Sequence, residues 1–422
     1  MPRKRNTRIR YDKLVSEGTL LGDYLSYMSN SETPHAYDFW TGCWLLSTAV
    51  GRTVHVNRPR APVYLNLFCI LVAESGITRK STAVREATNY ARSLCTGGSP
   101  LLITSKVTPE KLDELMVQQT KAEQDAAVSI AISELVTFMG KEKYVEAMPT
   151  KLTDLYDCPE VITGGGTLAR GSYEIKNVFC SFLSASTPSW LLRAVNPDVI
   201  EGGFTSRVVF IVAEKPKGLI PWPTDKSTEL RDKLRNHLER IRSESQTIAR
   251  IEISPGGFKA FSKWYRGRYI HNDTFRSSFQ SREDAHILRL AAFLCINDST
   301  WVIQASHVTT AIRIVEEIRE DGASIFEGVG AGSAQVILVD RIRDKLLAGG
   351  LDGVSQTDLT RGLAGTAKAD NVGAVLAVMH ELGMVQRFEV ALGGRGRPKT
   401  VWRATQGLAQ GKALDTVLKG LG

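Results

Sequence analysis

The pattern of apolar and polar residues predicts strands and helices in alternation over the first half of the chain. The run VYLNLFCILVA at 63–73 is almost continuously apolar, which is typical of a strand buried on both faces. Helices are predicted at 81–95 and 108–124, and the second begins with a threonine cap followed by proline. Further strands are predicted at 101–104, 127–133, 178–186 and 206–214. This alternation favours a parallel sheet with helices on both faces.

The second half of the chain has a different pattern. A proline-containing linker at 214–227 leads into mainly helical segments over 228–330, and the glycine-rich EGVGAGS at 327–333 predicts a domain boundary. Beyond it, three helical segments precede two strands that flank the loop GGRGRP. Three helices followed by a hairpin are typical of a winged-helix domain.

Composition excludes some classes of protein and leaves others open. The chain has 422 residues, of which 43% are hydrophobic and 23% charged, as in ordinary globular proteins. A formal charge of +8 permits a polyanionic partner without requiring one. No apolar stretch approaches the roughly 20 residues of a membrane span. Six dispersed cysteines without a CxxC pair fit a reducing cytoplasm and argue against a zinc site.

The sharpest local motif is ILVAESGITRKSTA at 70–83, where a buried strand leads through a short loop into a helix. In such a loop, backbone N–H groups and the helix N-terminus bind phosphates, a lysine contacts the β- and γ-phosphates, and a serine binds Mg²⁺. The candidate nucleotide-binding residues are Ser75, Gly76, Thr78, Arg79, Lys80, Ser81 and Thr82. The common pattern GxxxxGK[ST] has glycine where this chain has Glu74 and Arg79. The alternative is a strand–turn–helix junction with a surface Lys-Ser pair.

Polar residues also follow two later strands. Glu134 follows the strand at 127–133, about fifty residues beyond the loop, where an acid polarises the attacking water or organises the metal. Ser186 or Thr187 ends the strand at 178–186, where a hydroxyl can contact the γ-phosphate or the water. Glu134 is therefore the candidate base and, with Ser81, a candidate Mg²⁺ ligand. The alternatives are an acid that caps the next helix and a simple helix cap before Pro188.

Basic residues supply two further candidates. Arg207 enters the strand at 206–214 and could reach the nucleotide of a neighbouring subunit, or form a structural salt bridge. Arg395, Arg397 and Lys399 lie in the predicted hairpin loop of the last domain, suited to DNA phosphates. The alternative for that domain is a subunit contact. Aromatic residues are scattered rather than interleaved with basic ones, so no stacking platform for single strands is expected.

In this order, the motifs resemble the helicase-like P-loop ATPase family of phages and integrated elements, long described as a domain of unknown function and often associated with primases. The resemblance runs from about His35 to Glu320, through ESG…RKST, SELVTFMG with LTDLYD, FLSASTPSWL, GGFTSRVVFIVAEKP and AHILRLAAFLCI. It implies a RecA-like or AAA+-type core, with Lys80 and Ser81 in the phosphate loop. It further implies Glu134 as the acid, Thr187 on the sensor strand and Arg207 as the finger.

We therefore expect an α/β chain that couples ATP and Mg²⁺ chemistry to DNA. The function expected is a DNA-dependent ATPase that acts in the cytoplasm of the host as an oligomeric replicative helicase, with a hexamer as the candidate ring. A primase or replication protein is a candidate partner, and no membrane is expected. The alternatives are a DNA-binding replication or regulatory protein with a degenerate nucleotide site, and a DNA translocase for packaging or transposition. The expected divisions are a basic flexible arm at 1–34, a P-loop ATPase domain at 35–226, a helical lid or oligomer-support domain at 227–330, a winged-helix domain at 334–406 and a tail at 407–422.

Overall fold

The chain forms two compact units, Met1–Phe326 and Glu327–Gly422. Their architecture comes from a computed structural model. It describes residues 9–96, 98–139, 147–165, 172–194, 203–224, 227–271, 273–326, 331–363, 369–390 and 399–405. Among these residues, no helix has the length and apolar character that crossing a membrane requires.

The first unit combines helices with short and medium strands. Its strands are β1 (His55–Val56), β2 (Val63–Tyr64), β3 (Phe68–Val72), β4 (Leu101–Ile103), β5 (Ala126–Ile132), β6 (Val161–Gly165), β7 (Ser172–Lys176), β8 (Val178–Ser186), β9 (Val208–Val212), β10 (Arg250–Ile253) and β11 (Val302–Ile303). Its helices are α1 (Leu20–Tyr27), α2 (His35–Val50), α3 (Lys80–Leu94), α4 (Pro109–Glu123), α5 (Leu135–Met139), α6 (Ala147–Tyr156), α7 (Pro188–Ala194), α8 (Phe204–Arg207), α9 (Thr228–Ser245), α10 (Pro255–Gly267), α11 (Thr274–Gln280), α12 (Glu283–Asn297) and α13 (Ala305–Phe326).

The centre of this unit is a five-stranded parallel sheet in the order β4-β5-β8-β3-β9. Every residue of β3, β5 and β8 is buried, so both faces of the sheet are covered. Continuous apolar runs are stable in this position because neither face meets water. The prediction of an α/β fold with a parallel sheet is therefore confirmed, and the sheet is compatible with a RecA-like core.

Helix α2 packs on the central sheet through small hydroxyl side chains as well as apolar ones. The Ser47 and Ser181 hydroxyls lie 2.6 Å apart, and Ser129 Oγ donates to Thr48 Oγ1 at 3.1 Å. Hydroxyls buried this way satisfy each other, and so avoid the cost of an unpaired polar group. These contacts hold α2 against β5 and β8, two of the strands that end at the carboxyl edge of the sheet.

The amino-terminal segment differs from the flexible arm expected over 1–34. Thr19 Oγ1 accepts from Gly22 N–H and caps α1, whose leucine and tyrosine side chains are buried. Leu21 N–H donates to Asn297 Oδ1 at 2.8 Å, which joins the segment to α12. Seven of the eight residues of α1 are buried, and this burial outweighs the polar character of the segment as a whole. Residues 1–8, which carry much of the basic charge, lie outside the described residues.

A second sheet links distant parts of the first unit. Its order is β11-β10-β1-β2, with β1 parallel to β10, β10 parallel to β11 and β1 antiparallel to β2. Residues 227–326 therefore share a sheet with residues 55–64, whereas the sequence analysis placed them in a separate helical domain. Strands of two to four residues are too short to produce a recognisable alternation of apolar and polar positions.

The second unit contains helices and a small antiparallel sheet. Its elements are α14 (Ala331–Ala348), β12 (Val354–Ser355), α15 (Gln356–Gly362), α16 (Ala369–Glu381), β13 (Val385–Val390) and β14 (Lys399–Ala404). The strand order is β12-β14-β13, and both pairings are antiparallel. Ile342, Leu359, Val372, Leu376 and Trp402 are among the buried residues of its core. The unit thus has a core of its own, made by all three helices and the sheet.

Candidate functional site

A cleft of about 460 Å³ lies at the carboxyl edge of the central sheet. It is formed where β3, β5 and β8 end, since the carboxyl ends of parallel strands meet at one edge. The residues that line it are Ser75, Gly76, Arg79, Lys80, Ser81, Thr82, Ser133, Glu134, Leu135, Val136, Ala185, Ser186, Thr187 and Trp190. Three separate segments of the sequence analysis, the loop, Glu134 and Thr187, are thus brought together.

The loop between β3 and α3 is held by hydrogen bonds to Tyr37 of helix α2. Tyr37 Oη donates to the Val72 carbonyl at 2.8 Å, and Thr78 Oγ1 donates to Tyr37 Oη at 3.4 Å. Thr78 is fully buried and is not among the lining residues, so it supports the loop rather than contacting a ligand. Gly76 has φ +78°, a left-handed conformation that glycine adopts without strain.

Arg79 occupies a position where the common phosphate-loop pattern has glycine. Its φ is +52° and its ψ +38°, in the left-handed region that costs a side chain about 1 kcal/mol or more. Its guanidinium Nε donates to Glu32 Oε2 at 2.7 Å, and the other oxygen of Glu32 accepts from Ile220 N–H at 3.1 Å. This ion pair connects the loop through Glu32 to Ile220.

Helix α3 begins at Lys80 without a side-chain cap. The first N–H groups of a helix lack intrahelical partners, and the helix dipole adds positive potential there, so an uncapped start favours an anion. Lys80 Nζ donates to the carbonyls of Ala73 at 2.6 Å and Glu74 at 2.9 Å. Partial burial lowers the pKa of Lys80, while the nearby Glu74 carboxylate acts in the opposite direction.

Glu134 faces the loop across the cleft. Its side chain is exposed and makes no hydrogen bond or ion pair with the described residues, so its carboxylate is available to a ligand. The backbone carbonyl of Glu134 accepts from Thr137 N–H at 3.1 Å at the start of α5. The alternative of a capping acid would require the carboxylate to accept from that helix, which is not observed among the described residues.

Thr187 both caps helix α7 and lines the cleft. Its Oγ1 accepts from Trp190 N–H at 3.3 Å, which is the helix cap considered as the alternative, and the same residue lines the cleft. Trp190, Leu135 and Val136 form an apolar part of the lining that the sequence analysis missed. The sequence does place Trp190 one helical turn after the polar end of β8. Whether its side chain faces the cleft depends on the angle at which α7 leaves the sheet, which the sequence does not give.

Arg207 lies at the other edge of the central sheet. Phe68 pairs with Val208, so Arg207 is beside the amino end of β3, whereas the loop follows its carboxyl end. The five residues of β3 separate them by about 16 Å. Arg207 NH2 donates to Asp157 Oδ2 at 3.0 Å, and NH1 to the Gly203 carbonyl at 3.0 Å. The structural salt bridge is thus present, and a role toward a neighbouring subunit stays a prediction.

The basic hairpin is described only in part. Arg395 and Arg397 lie outside the described residues, whereas Lys399 begins β14 with its Nζ 3.4 Å from Asp358 Oδ2. A hydrogen bond from Ser355 and the ammonium of Lys399 lower the pKa of Asp358. Lys399 therefore has an acidic neighbour within its own unit.

The described residues contain no cluster of three or more His, Cys, Asp or Glu side chains that could hold a metal by itself. Mg²⁺ commonly has one or two protein ligands, with water and phosphate oxygens as the rest. Ser81 and Glu134 line one cleft and supply such a set. No protein-family model matches this chain, and no curated protein matches it.

Proposed function

We propose that this protein is a DNA-dependent ATPase that acts as an oligomeric motor, of the replicative-helicase type. The observation that carries the proposal is the cleft in which the uncapped start of α3, the loop at 75–79, Glu134 and Thr187 meet. A P-loop ATPase needs these four parts at one edge of a parallel sheet. The resemblance of the motifs to helicase-like ATPases of phages and integrated elements supports the same function.

Each lining residue has a role in this proposal. The N–H groups at the start of α3 bind the phosphates, and Lys80 leaves the carbonyls of Ala73 and Glu74 to neutralise the β- and γ-phosphates. Glu134 orients the attacking water and accepts its proton, and Thr187 contacts that water or the γ-phosphate. Ser81 would hold Mg²⁺, which would supply positive charge to the phosphate oxygens.

The second unit is proposed to be a winged helix that binds DNA. Its strand and helix order, α14, β12, α15, α16, β13, β14, and its three-stranded antiparallel sheet support this assignment. In the sequence, Arg395 and Arg397 fall between the last two strands, and Lys399 is the first residue of β14. Arginine and lysine at a hairpin tip contact phosphates without reading sequence, as a motor that moves along DNA requires.

The test is ATP hydrolysis by the full chain and by Lys80→Ala, each with and without single-stranded DNA. Lys121→Ala is the matched control, because Lys121 is an exposed lysine on α4, away from the cleft. We expect DNA to stimulate hydrolysis by the unaltered chain and by Lys121→Ala, and Lys80→Ala to lose hydrolysis while it keeps its fold. Unchanged turnover in Lys80→Ala would exclude this cleft as the site.

A second candidate function is a DNA-binding replication or regulatory protein whose nucleotide site does not hydrolyse ATP. The observation that favours it is Ser133, which lines the cleft where P-loop ATPases commonly have a second acid. The left-handed Arg79 and the neighbouring Glu74 also depart from the common loop. This function predicts ATP binding that depends on Lys80, with no turnover at any DNA concentration.

A further inference from the structure

Helix α10 and the residues after it present an exposed aromatic surface. Phe258 is 60% exposed, Tyr269 73% and Ile270 74%, and only Gly257 of the helix is buried. Trp264 faces the neighbouring helix α13, where its Nε1 donates to Glu316 Oε1 at 3.3 Å. The helix is therefore held on one side and open on the other, and large exposed aromatic side chains of this kind mark interaction sites.

Two parallel rows of side chains follow the open side of α10. Phe258, Phe261 and Tyr265 are spaced by three and four residues, so they lie above one another on the helix. Lys259, Lys263 and Arg266 are spaced by four and three residues, so they form a second row on the helix. The rings of Phe261 and Tyr265 are 6.1 Å apart. An aromatic row thus runs beside a cationic row.

The charged side chains that this segment of the chain itself carries have one sign. No acidic residue occurs from Pro255 to His271. Lys259, Lys263 and Arg266 are exposed and form no ion pair with the described residues. The Arg268 guanidinium lies 3.9 Å from the centre of the Tyr265 ring, in cation–π geometry. The expectation that aromatic and basic residues are not interleaved therefore fails on this helix.

We propose that this face of α10 binds single-stranded DNA, with bases stacked on Phe258 and Tyr265 and phosphates at Lys259, Lys263 and Arg266. This proposal deepens the proposed function and rests on it for DNA as the partner. Aromatic side chains beside a positively charged track are how proteins bind single strands without reading their sequence. A protein partner fits less well, because the core of a protein interface is depleted of lysine, whereas here lysines alternate with the aromatic residues.

The dimensions of the face suit a short stretch of strand. Seven residues separate Phe258 from Tyr265, which is about 10 Å along a helix. Stacked bases advance about 3.4 Å per nucleotide. The face therefore spans about three nucleotides, and Tyr269 with Ile270 extends it beyond the end of the helix.

The test is the affinity of the full chain for fluorescently labelled (dT)20, measured by anisotropy at several salt concentrations without ATP. Phe258→Ala and Tyr265→Ala are each expected to weaken binding at least fivefold, since each stacked base contributes about 1–3 kcal/mol. Phe258→Leu keeps an apolar side chain without the ring and is expected to bind as weakly as Phe258→Ala. Lys263→Ala is expected to reduce the slope of log K against log salt by about 0.7, while Phe258→Ala leaves the slope unchanged. Trp222→Ala is the control, because Trp222 is an aromatic residue that is 88% exposed and lies outside α10. The affinity of this variant for (dT)20 should equal that of the unaltered chain.

Two results would overturn this inference. The first is affinity of Phe258→Ala within twofold of the unaltered chain, and the second is full affinity in Phe258→Leu, which indicates an apolar contact instead of stacking. The proposed function fails separately. If (dT)20 binding depends on Phe258 but the chain hydrolyses no ATP, the DNA face stands and the motor does not. If hydrolysis depends on Lys80 while Phe258→Ala binds normally, the motor stands and this face is not its DNA site.

Discussion

A buried ion pair beside the candidate site gives the prediction with the largest effect on stability. Lys217 Nζ lies 2.8 Å from Asp38 Oδ2, and the two side chains are only 8% and 0% exposed. Lys217 also donates to the Met28 carbonyl at 2.5 Å, and Thr33 Oγ1 donates to Asp38 Oδ1 at 2.6 Å. The pair therefore joins the segment around Lys217 to the start of α2. Three residues further along the chain, Ile220 contacts Glu32, the carboxylate that pairs with Arg79.

Lys217→Met removes the cation and leaves the carboxylate of Asp38 buried. Breaking a buried pair by removal of one partner costs about 3–5 kcal/mol, because the remaining charge is not compensated. A folded domain is stable by about 5–15 kcal/mol, so the loss is a large part of the free energy of unfolding. Replacing both partners by Asp38→Leu and Lys217→Met is expected to cost less than Lys217→Met alone, because no charge stays buried.

The measurement is urea-induced unfolding followed by circular dichroism for the full chain and these variants. Lys215→Met is the matched control, since Lys215 is exposed and two residues away; its effect should stay within about 0.5 kcal/mol. If Lys217→Met changes the free energy of unfolding by less than about 1 kcal/mol, the burial argument is wrong. A double variant less stable than Lys217→Met would contradict it as well.

Three further predictions concern catalysis and pH. Glu134→Gln is expected to retain ATP binding and to lower turnover by about 10²–10⁴-fold; unchanged turnover would remove Glu134 as the base. Subunits carrying Lys80→Ala, mixed with subunits carrying Arg207→Ala, are expected to regain turnover that neither has alone, and no recovery at any ratio would leave Arg207 a structural residue. Burial, assisted by Arg289, lowers the pKa of His286 from 6.5 to about 3. The unfolded chain then binds the proton more readily, so this stabilisation is complete above about pH 6.5 and is lost toward pH 3, by up to about 1.4 kcal/mol per pH unit. Urea unfolding at pH 7 and pH 5 measures that loss, and an equal loss in His286→Gln would refute the assignment.

The sequence predicts β3, β5 and β8 because these strands are apolar on both faces, but the run predicted as one strand at 63–73 forms two strands, β2 and β3. The bounds of β8 match the prediction at 178–186, and β5 differs from it by one residue at each end. The strand predicted at 206–214 is shorter in the structure, because residues 204–207 form the turn of helix α8. One apolar run thus includes the end of a helical turn and the start of a strand, and only the pairing with β3 shows that the strand begins at Val208.

The site could be predicted in part. Lys80, Glu134 and Thr187 share the cleft because each follows a strand of the same parallel sheet, which the order of elements already implies. The contact of Arg79 with Glu32 joins residues 47 positions apart and leaves no trace in a local pattern. The exposed row on α10 was missed for another reason: its residues alternate in the sequence and separate into two rows only on a helix.

The pairing of β1 with β10, and of β10 with β11, also constrains when the first unit can finish folding. Val56 pairs with Ile251, and Ile253 with Ile303, so the second sheet joins residues 247 positions apart. At about 5–20 residues per second, a ribosome needs about 12–50 s to synthesise that interval. Until residues 250–253 have been synthesised, β1 has no β10 to pair with, and its open edge is exposed to other chains. A nascent chain that ends near residue 226 would carry the whole candidate site and still lack the strand that closes its scaffold, so chaperone dependence should fall only after about residue 303 has emerged.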